Sequence, residues 1–141
     1  MTLRISDALV EQIRHQGELA YPAECCGVLA GHPGEIKHVL HLVPMQNRQT
    51  DDPHRYLIAP DDLLRTMTEL RRSDLEVLGY YHSHPDHPAV PSDFDNEHAW
   101  PWYTYIIVQV NQGTAVELAA WVLPDDRSAM ARESLEVFSE V

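Results

Sequence analysis

The stretch GYYHSHPDHPAVPSDFD, residues 79 to 95, gathers His82, His84, Ser92 and Asp95 within a few positions of one another. Two imidazoles and a carboxylate are a donor set for zinc, which takes His nitrogens and carboxylate oxygens at about 2.0–2.2 Å. Three protein ligands leave a fourth position for water, which is what a hydrolase needs. Plainer readings also exist. A His-x-His pair at a strand end needs no ion, and Ser92-Asp93-Phe94-Asp95 matches a capping box, in which a Ser caps a helix and an acid three residues on reaches back. The two readings of Asp95 are compatible. A short helix starting at Pro91-Ser92 and running through His98 would put Asp95 in its first turn, aimed at the strand end that carries the histidines.

These side chains meet only if particular elements hold them. If Leu75 to His84 is extended, period-two alternation places Leu78, Tyr80, His82 and His84 on one face, so both imidazoles can reach one ion. Asp95 follows His84 by eleven positions, across a proline-bearing loop that can fold back. A base for the attacking water is also required. Glu24 is a candidate, because it opens the otherwise apolar ECCGVLAGH, where an unpaired carboxylate is costly to bury. Glu11, Glu69, Glu76 and Glu97 are its rivals.

Around this stretch, the spacing of Ala8, Leu9, Ile13 and Leu19 predicts a helix over about 6 to 19, with Ser6 as N-cap and Pro22 past its end. A strand is expected after Glu24, with a hairpin partner over Ile36 to Val43 and a short strand over Tyr56 to Ala59. Pro60 opens a second helix. Asp61 and Asp62 lie at its positive end, Arg71 and Arg72 at its negative end, and Leu63, Leu64, Met67 and Leu70 form its apolar stripe. Leu75 to Tyr81, Tyr103 to Val110 and Ala115 to Leu123 read as strands, the last two joined by the turn Asn111-Gln112-Gly113. Ser128 to Phe138 reads as a closing helix, with a strand beginning at Val137 and Phe138 as the alternative. The expected class is α/β (α+β): one domain over 1–141, a mixed, mostly antiparallel sheet with helices on its faces.

Composition narrows the function. The 141 residues suit one hydrophobic core, and 44% hydrophobic with 23% charged residues is ordinary for a globular chain. Ten Lys and Arg against 22 Asp and Glu leave a formal charge of -12, which repels phosphate backbones and anionic membranes. Neither nucleic acid nor membrane is therefore an expected partner. Asp7 and Glu11 interrupt any apolar leader, and the only cysteines, Cys25 and Cys26, are adjacent and cannot staple distant strands. A cytoplasmic protein is expected, with the cysteines as small buried residues opening a strand.

His82-Ser83-His84-Pro85, then Pro91-Ser92-x-x-Asp95, with Glu24 upstream before Cys-Cys-Gly-Val-Leu-Ala-Gly, resembles the JAMM (MPN+) metalloproteases, zinc isopeptidases that include the deubiquitinating subunits of large complexes. The likeness runs from the first helix through Tyr103 to Val110, and the wording of residues 80 to 108 is most similar to a small bacterial branch. That branch acts on ubiquitin-like sulfur-carrier proteins of the ThiS/MoaD kind and removes residues attached to their C-terminal Gly-Gly. The resemblance implies an MPN-type fold, Zn2+ held by His82, His84 and Asp95, and Glu24 as the base that takes a proton from water and passes it to the leaving amine. It implies that Ser92 steadies the tetrahedral oxyanion. The chain lacks the long insertions with which deubiquitinating members grip ubiquitin chains, so a sulfur carrier is the expected substrate, its tail extended along a sheet edge.

Two other classes fit the sequence less well. A non-catalytic scaffold of the same fold would have drifted ligands, and none has drifted here; a zinc deaminase would need His-x-Glu with a later Pro-Cys-x-x-Cys, and neither occurs. His87 and His98 read as loop or surface residues. At least one of Trp100, Trp102 and Tyr103 reads as core, and a homodimer is left open.

Overall fold

In the computed structural model, which describes residues 1–49 and 51–140, the chain runs β1 (Thr2–Ser6), α1 (Asp7–Ala20), β2 (Cys26–His32), β3 (Ile36–Met45), α2 (Pro60–Arg72), β4 (Glu76–Pro85), α3 (Asp93–His98), β5 (Thr104–Asn111), β6 (Thr114–Val122), β7 (Ala131–Arg132) and β8 (Ser134–Phe138). Each helix starts where local chemistry says it should. The Ser6 hydroxyl accepts the Leu9 N–H at 3.2 Å and caps α1, whose buried stripe is Val10, Ile13 and Gly17. Pro60 occupies the first turn of α2, with Asp61 and Asp62 beside it and Arg71 and Arg72 in the last turn, each charge opposing the helix dipole.

The strands form one eight-stranded sheet in the order β7-β6-β5-β4-β2-β3-β1-β8. The β2–β3, β2–β4, β5–β6 and β6–β7 pairs are antiparallel; β1–β3, β1–β8 and β4–β5 are parallel. This is the expected mixed, mostly antiparallel sheet with helices against it. The cluster of Leu3, Ile5, Val10, Ile13, Leu29, Leu78, Tyr81, Ile106 and Val108 joins α1 to one face. Val28, Ala30, Leu70 and Val77 join α2 to the other. Among the described residues, no helix is long and apolar enough to cross a membrane.

Three expectations are corrected. Ser128 to Phe138 holds no helix: after Met130 come β7 and β8. The open edge of β1 takes Ser134 to Phe138 as a parallel partner, and Glu133 between the two strands is buried against Lys37 Nζ at 3.3 Å, so tertiary pairing overrides local helix preference. Tyr56 to Ala59 is not a strand either. Asn47 captures this segment, its Oδ1 accepting the Leu57 N–H at 3.0 Å and its Nδ2 donating to the Arg55 carbonyl at 3.3 Å. Leu78, finally, does not share a face with Tyr80, His82 and His84. Leu29 pairs with Gly79 and Ala30 with Val77, so Leu78 is the extra residue of a β-bulge and joins the α1-side core, whereas Tyr80 packs on the opposite side.

Gly79, at this bulge, lies under the next strand so closely that an added Cβ would sit 1.9 Å from the Thr104 carbonyl oxygen. Backbone has no rotamer with which to yield. Gly79→Ala is expected to cost about 3 kcal/mol, read as a lowered urea midpoint, because β4 and β5 must separate where both are buried.

Candidate metal centre

The C-terminal half of β4 carries His82 and His84, each with a side chain 1% exposed. The loop after β4 turns the chain back through Pro91 to Ser92, the N-cap of α3. Ser92 Oγ accepts the Asp95 N–H at 3.1 Å, and Asp95 Oδ2 accepts the Ser92 N–H at 2.9 Å, which completes a capping box. The same Oδ2 lies 3.3 Å from His82 Nε2 and 3.1 Å from His84 Nε2, and the two Nε2 atoms are 3.1 Å apart. The cap and the cluster are one device, as the spacing allowed.

The three donor atoms fit a tetrahedral ion. Ligands at about 2.0–2.1 Å from zinc lie about 3.3–3.4 Å from one another, close to the distances seen here. The tautomer of His84 is suited as well. Its Nδ1 lies 2.8 Å from the Pro88 carbonyl, which only accepts, so Nδ1 carries the proton and Nε2 presents a lone pair to the cluster. Burial works against charge on Asp95, yet the neighbouring His82 imidazole and the Ser92 N–H hold its carboxyl well below the ordinary range. An anionic, buried donor set results.

Register brings in Glu24. Cys26 pairs with His82 in the antiparallel β2–β4 ladder, so moving two residues back along one strand and two forward along the other sets Glu24 opposite His84. The Ser83 N–H donates to the Cys25 carbonyl at 3.2 Å, and the Cys25 N–H donates to Ser83 Oγ at 2.8 Å, fastening this end of the ladder. Glu24 is 3% exposed, and its Oε2 has no hydrogen-bond partner among the described residues. Burial, with Asp95 and Asp52 nearby, pushes its carboxyl from its ordinary 4.5 up to about 9. A buried acid that binds a proton this readily beside a metal-type cluster suits proton transfer.

The remaining predicted residues fall on both sides of expectation. Cys26 is buried and Cys25 half-buried, both as free thiols. His98 is exposed at the end of α3, stacked on Phe94. His87, by contrast, stacks on His84 with ring centroids 4.0 Å apart, and donor atoms of Glu24, His84 and His87 lie within 4.8 Å of one another. Trp100 and Trp102 are exposed, and Tyr103 packs partly against the core. Two residues escaped sequence reasoning. Tyr56 stacks on His82 at 4.5 Å, and Asn47, which donates to the Glu24 carbonyl at 3.1 Å, ties the loop that delivers Tyr56. A cavity of about 270 Å3 opens beside His82 and Asp95, walled by Tyr56, Leu63, Phe94 and Trp100.

Comparison with known proteins agrees with this arrangement. Residues 6–124 match the family described as prokaryotic homologs of the JAB domain. The chain is 32% identical over 102 residues to the desampylase of Haloferax volcanii, covering 72% of this chain and 73% of that one. It is 32% identical over 107 residues to a probable TtuB-protein conjugate cleaving protease of Thermus thermophilus, covering 76% and 70%. It is 29% identical over 121 residues to the CysO-cysteine peptidase of Mycobacterium tuberculosis, covering 85% and 80%. A Desulfitobacterium hafniense protein solved in solution superposes with a TM-score of 0.85 at 25% identity, over 99% of this chain and 94% of that one. The structure described as JAMM, a metalloprotease-like zinc site in the proteasome and signalosome, shares the fold at 19% identity and a TM-score of 0.59, over 98% of this chain and 99% of that one. The chain therefore belongs to the family of prokaryotic homologs of the JAB domain, and it is a hydrolase of peptide bonds.

Proposed function

We propose that this chain works as a single-domain, zinc-dependent peptidase that hydrolyses the bond after the C-terminal Gly-Gly of a ubiquitin-like sulfur-carrier protein, releasing an amino acid or short peptide. One observation carries the reading: three donor atoms converge at 3.1–3.3 Å, with Glu24 close by and its Oε2 without a hydrogen-bond partner among the described residues. The names of the relatives from Thermus and Mycobacterium, a TtuB-conjugate protease and a CysO-cysteine peptidase, support the substrate class.

His82, His84 and Asp95 would hold the ion. Zinc bound there supplies a Lewis acid for the scissile carbonyl and lowers the pKa of water to about 7. Glu24 takes a proton from the attacking water and hands it to the leaving amine, so that the amine departs neutral. The hydroxyl of Ser92 donates to the oxyanion, and the glycines before the scissile bond let an extended tail approach the buried donors without side-chain clash.

Ser92→Ala is expected to lower kcat about 100-fold with zinc content unchanged, the loss of one oxyanion donor, and to cost about 1 kcal/mol of stability through loss of the cap on Asp95. Activity and metal analysis on the same preparation check both parts. The function itself is tested by incubating the metal-replete chain with sulfur carriers extended beyond Gly-Gly and reading intact mass. Loss of the extension at the Gly-Gly boundary, abolished by chelation, is expected; carriers left intact by a zinc-loaded chain would overturn the reading.

A further inference from the structure

His87 is the one imidazole at this centre that the proposed reaction leaves unused. Its Nδ1 lies 2.8 Å from the Pro85 carbonyl and must donate to it, which leaves a lone pair on Nε2. One of its ring nitrogens, one of those of His84 and one Glu24 carboxyl oxygen lie within 4.8 Å of one another. His84 has no capacity left, since Nδ1 donates to Pro88 and Nε2 belongs to the triad with His82 and Asp95. The uncommitted donors are therefore the His87 imidazole and the Glu24 carboxylate, which is 97% buried by its 3% exposure and has an oxygen without any partner among the described residues. The surroundings favour a cation. Asp52 is close enough to act on Glu24, and Asp86 feels both His54 and His87. The ring of His54 meets that of His87 edge-on at 5.6 Å, and the Arg55 guanidinium is already paired with Asp52 at 3.4 Å.

We propose that Glu24 and His87 form a second, weaker seat for a divalent transition-metal ion, adjacent to the triad, and that filling it switches hydrolysis off by occupying the Glu24 carboxylate. This inference rests on the zinc reading of His82, His84 and Asp95. An imidazole and a carboxylate suit zinc. Donors within 4.8 Å of one another lie within about 1.5 Å of the 3.3–3.4 Å ligand spacing of a tetrahedral zinc site. With two protein ligands instead of three, and waters completing the shell, the seat releases its ion more readily than the triad does. The consequence is a chain active with one ion and silent with two.

The experiment is equilibrium dialysis against Zn2+ at rising free concentration, with metal counted per chain, on the wild type, His87→Ala, Glu24→Gln and, as a control for surface imidazoles, His98→Ala. The wild type and His98→Ala are expected to take one tight ion and then a second, weaker one. His87→Ala and Glu24→Gln are expected to keep the tight ion and bind the second at least tenfold more weakly. In turnover assays, excess zinc should inhibit the wild type, and the midpoint of inhibition in His87→Ala should rise at least tenfold. A second ion held equally well without His87 and without Glu24, or a wild type that stops at one ion, overturns the second seat and leaves the triad reading intact. Absence of the tight ion from the wild type overturns the triad reading itself.

Discussion

Glu24→Gln is expected to lose hydrolysis, with kcat falling by about 100- to 10,000-fold, while the purified chain keeps its full complement of zinc. Gln preserves the size of the side chain at a position that is 3% exposed, so the β2–β4 end stays packed. It cannot accept a proton. The variant therefore separates proton transfer from metal binding, and retained turnover would remove Glu24 from the role of base. A second readout follows from burial. In the metal-free chain the Glu24 carboxyl is pushed from 4.5 up to about 9, first by burial and then by Asp95 and Asp52. The folded state then holds a proton that the unfolded chain has released. This contribution to stability is fully present below about 4.5 and is lost as pH rises through about 9. Metal-stripped wild type should lose up to about 1.4 kcal/mol per pH unit across that window relative to Glu24→Gln, which carries no such slope. Urea midpoints of the two stripped chains at pH 5, 7 and 9 measure it.

His84→Ala is expected to empty the centre. Structural zinc sites with four ligands bind with about 10–16 kcal/mol, so one ligand accounts for about 3 kcal/mol, more than a hundredfold in affinity. The loss goes further here, because the His84 ring also supports His87 by stacking and, through Pro88, anchors the loop that returns the chain to Ser92. Zinc should drop from near one per chain to a small fraction, with turnover falling to the level of the chelated wild type. Stoichiometric zinc in the variant would show that the ion sits elsewhere.

Local signals were legible where a short-range rule decides the outcome. Ser6 and Ser92 cap helices through their own hydroxyls, Pro60 and the acids after it start α2, and Asn111-Gln112-Gly113 turns β5 into β6 with Gln112 and Gly113 at positive φ. The helix expected over Ser128 to Phe138 fails because the partner of this segment lies at the other end of the chain, on β1; the alternative of a strand at Val137 and Phe138 caught the end of β8 but not its extent from Ser134. Leu78 was misread for a related reason. Strict alternation assumes an unbroken ladder, and one bulge opposite Leu29 and Ala30 shifts the phase.

By itself the sequence determined the candidate donor set: His82 and His84 on one strand face and Asp95 held at a fixed place in a capped turn, because alternation and capping are properties of a few consecutive residues. No local rule decides which acid stands beside them: the resemblance names Glu24, and only the tertiary structure supplies the reason. Among five glutamates of equal local standing, Glu24 is placed by the register of β2 against β4, a pairing between segments more than fifty residues apart. The same holds for His87 and Tyr56, whose rings reach the centre through a loop and a tether that no periodicity records. Spacing along a chain governs what one element presents; the pairing of elements governs what those side chains meet.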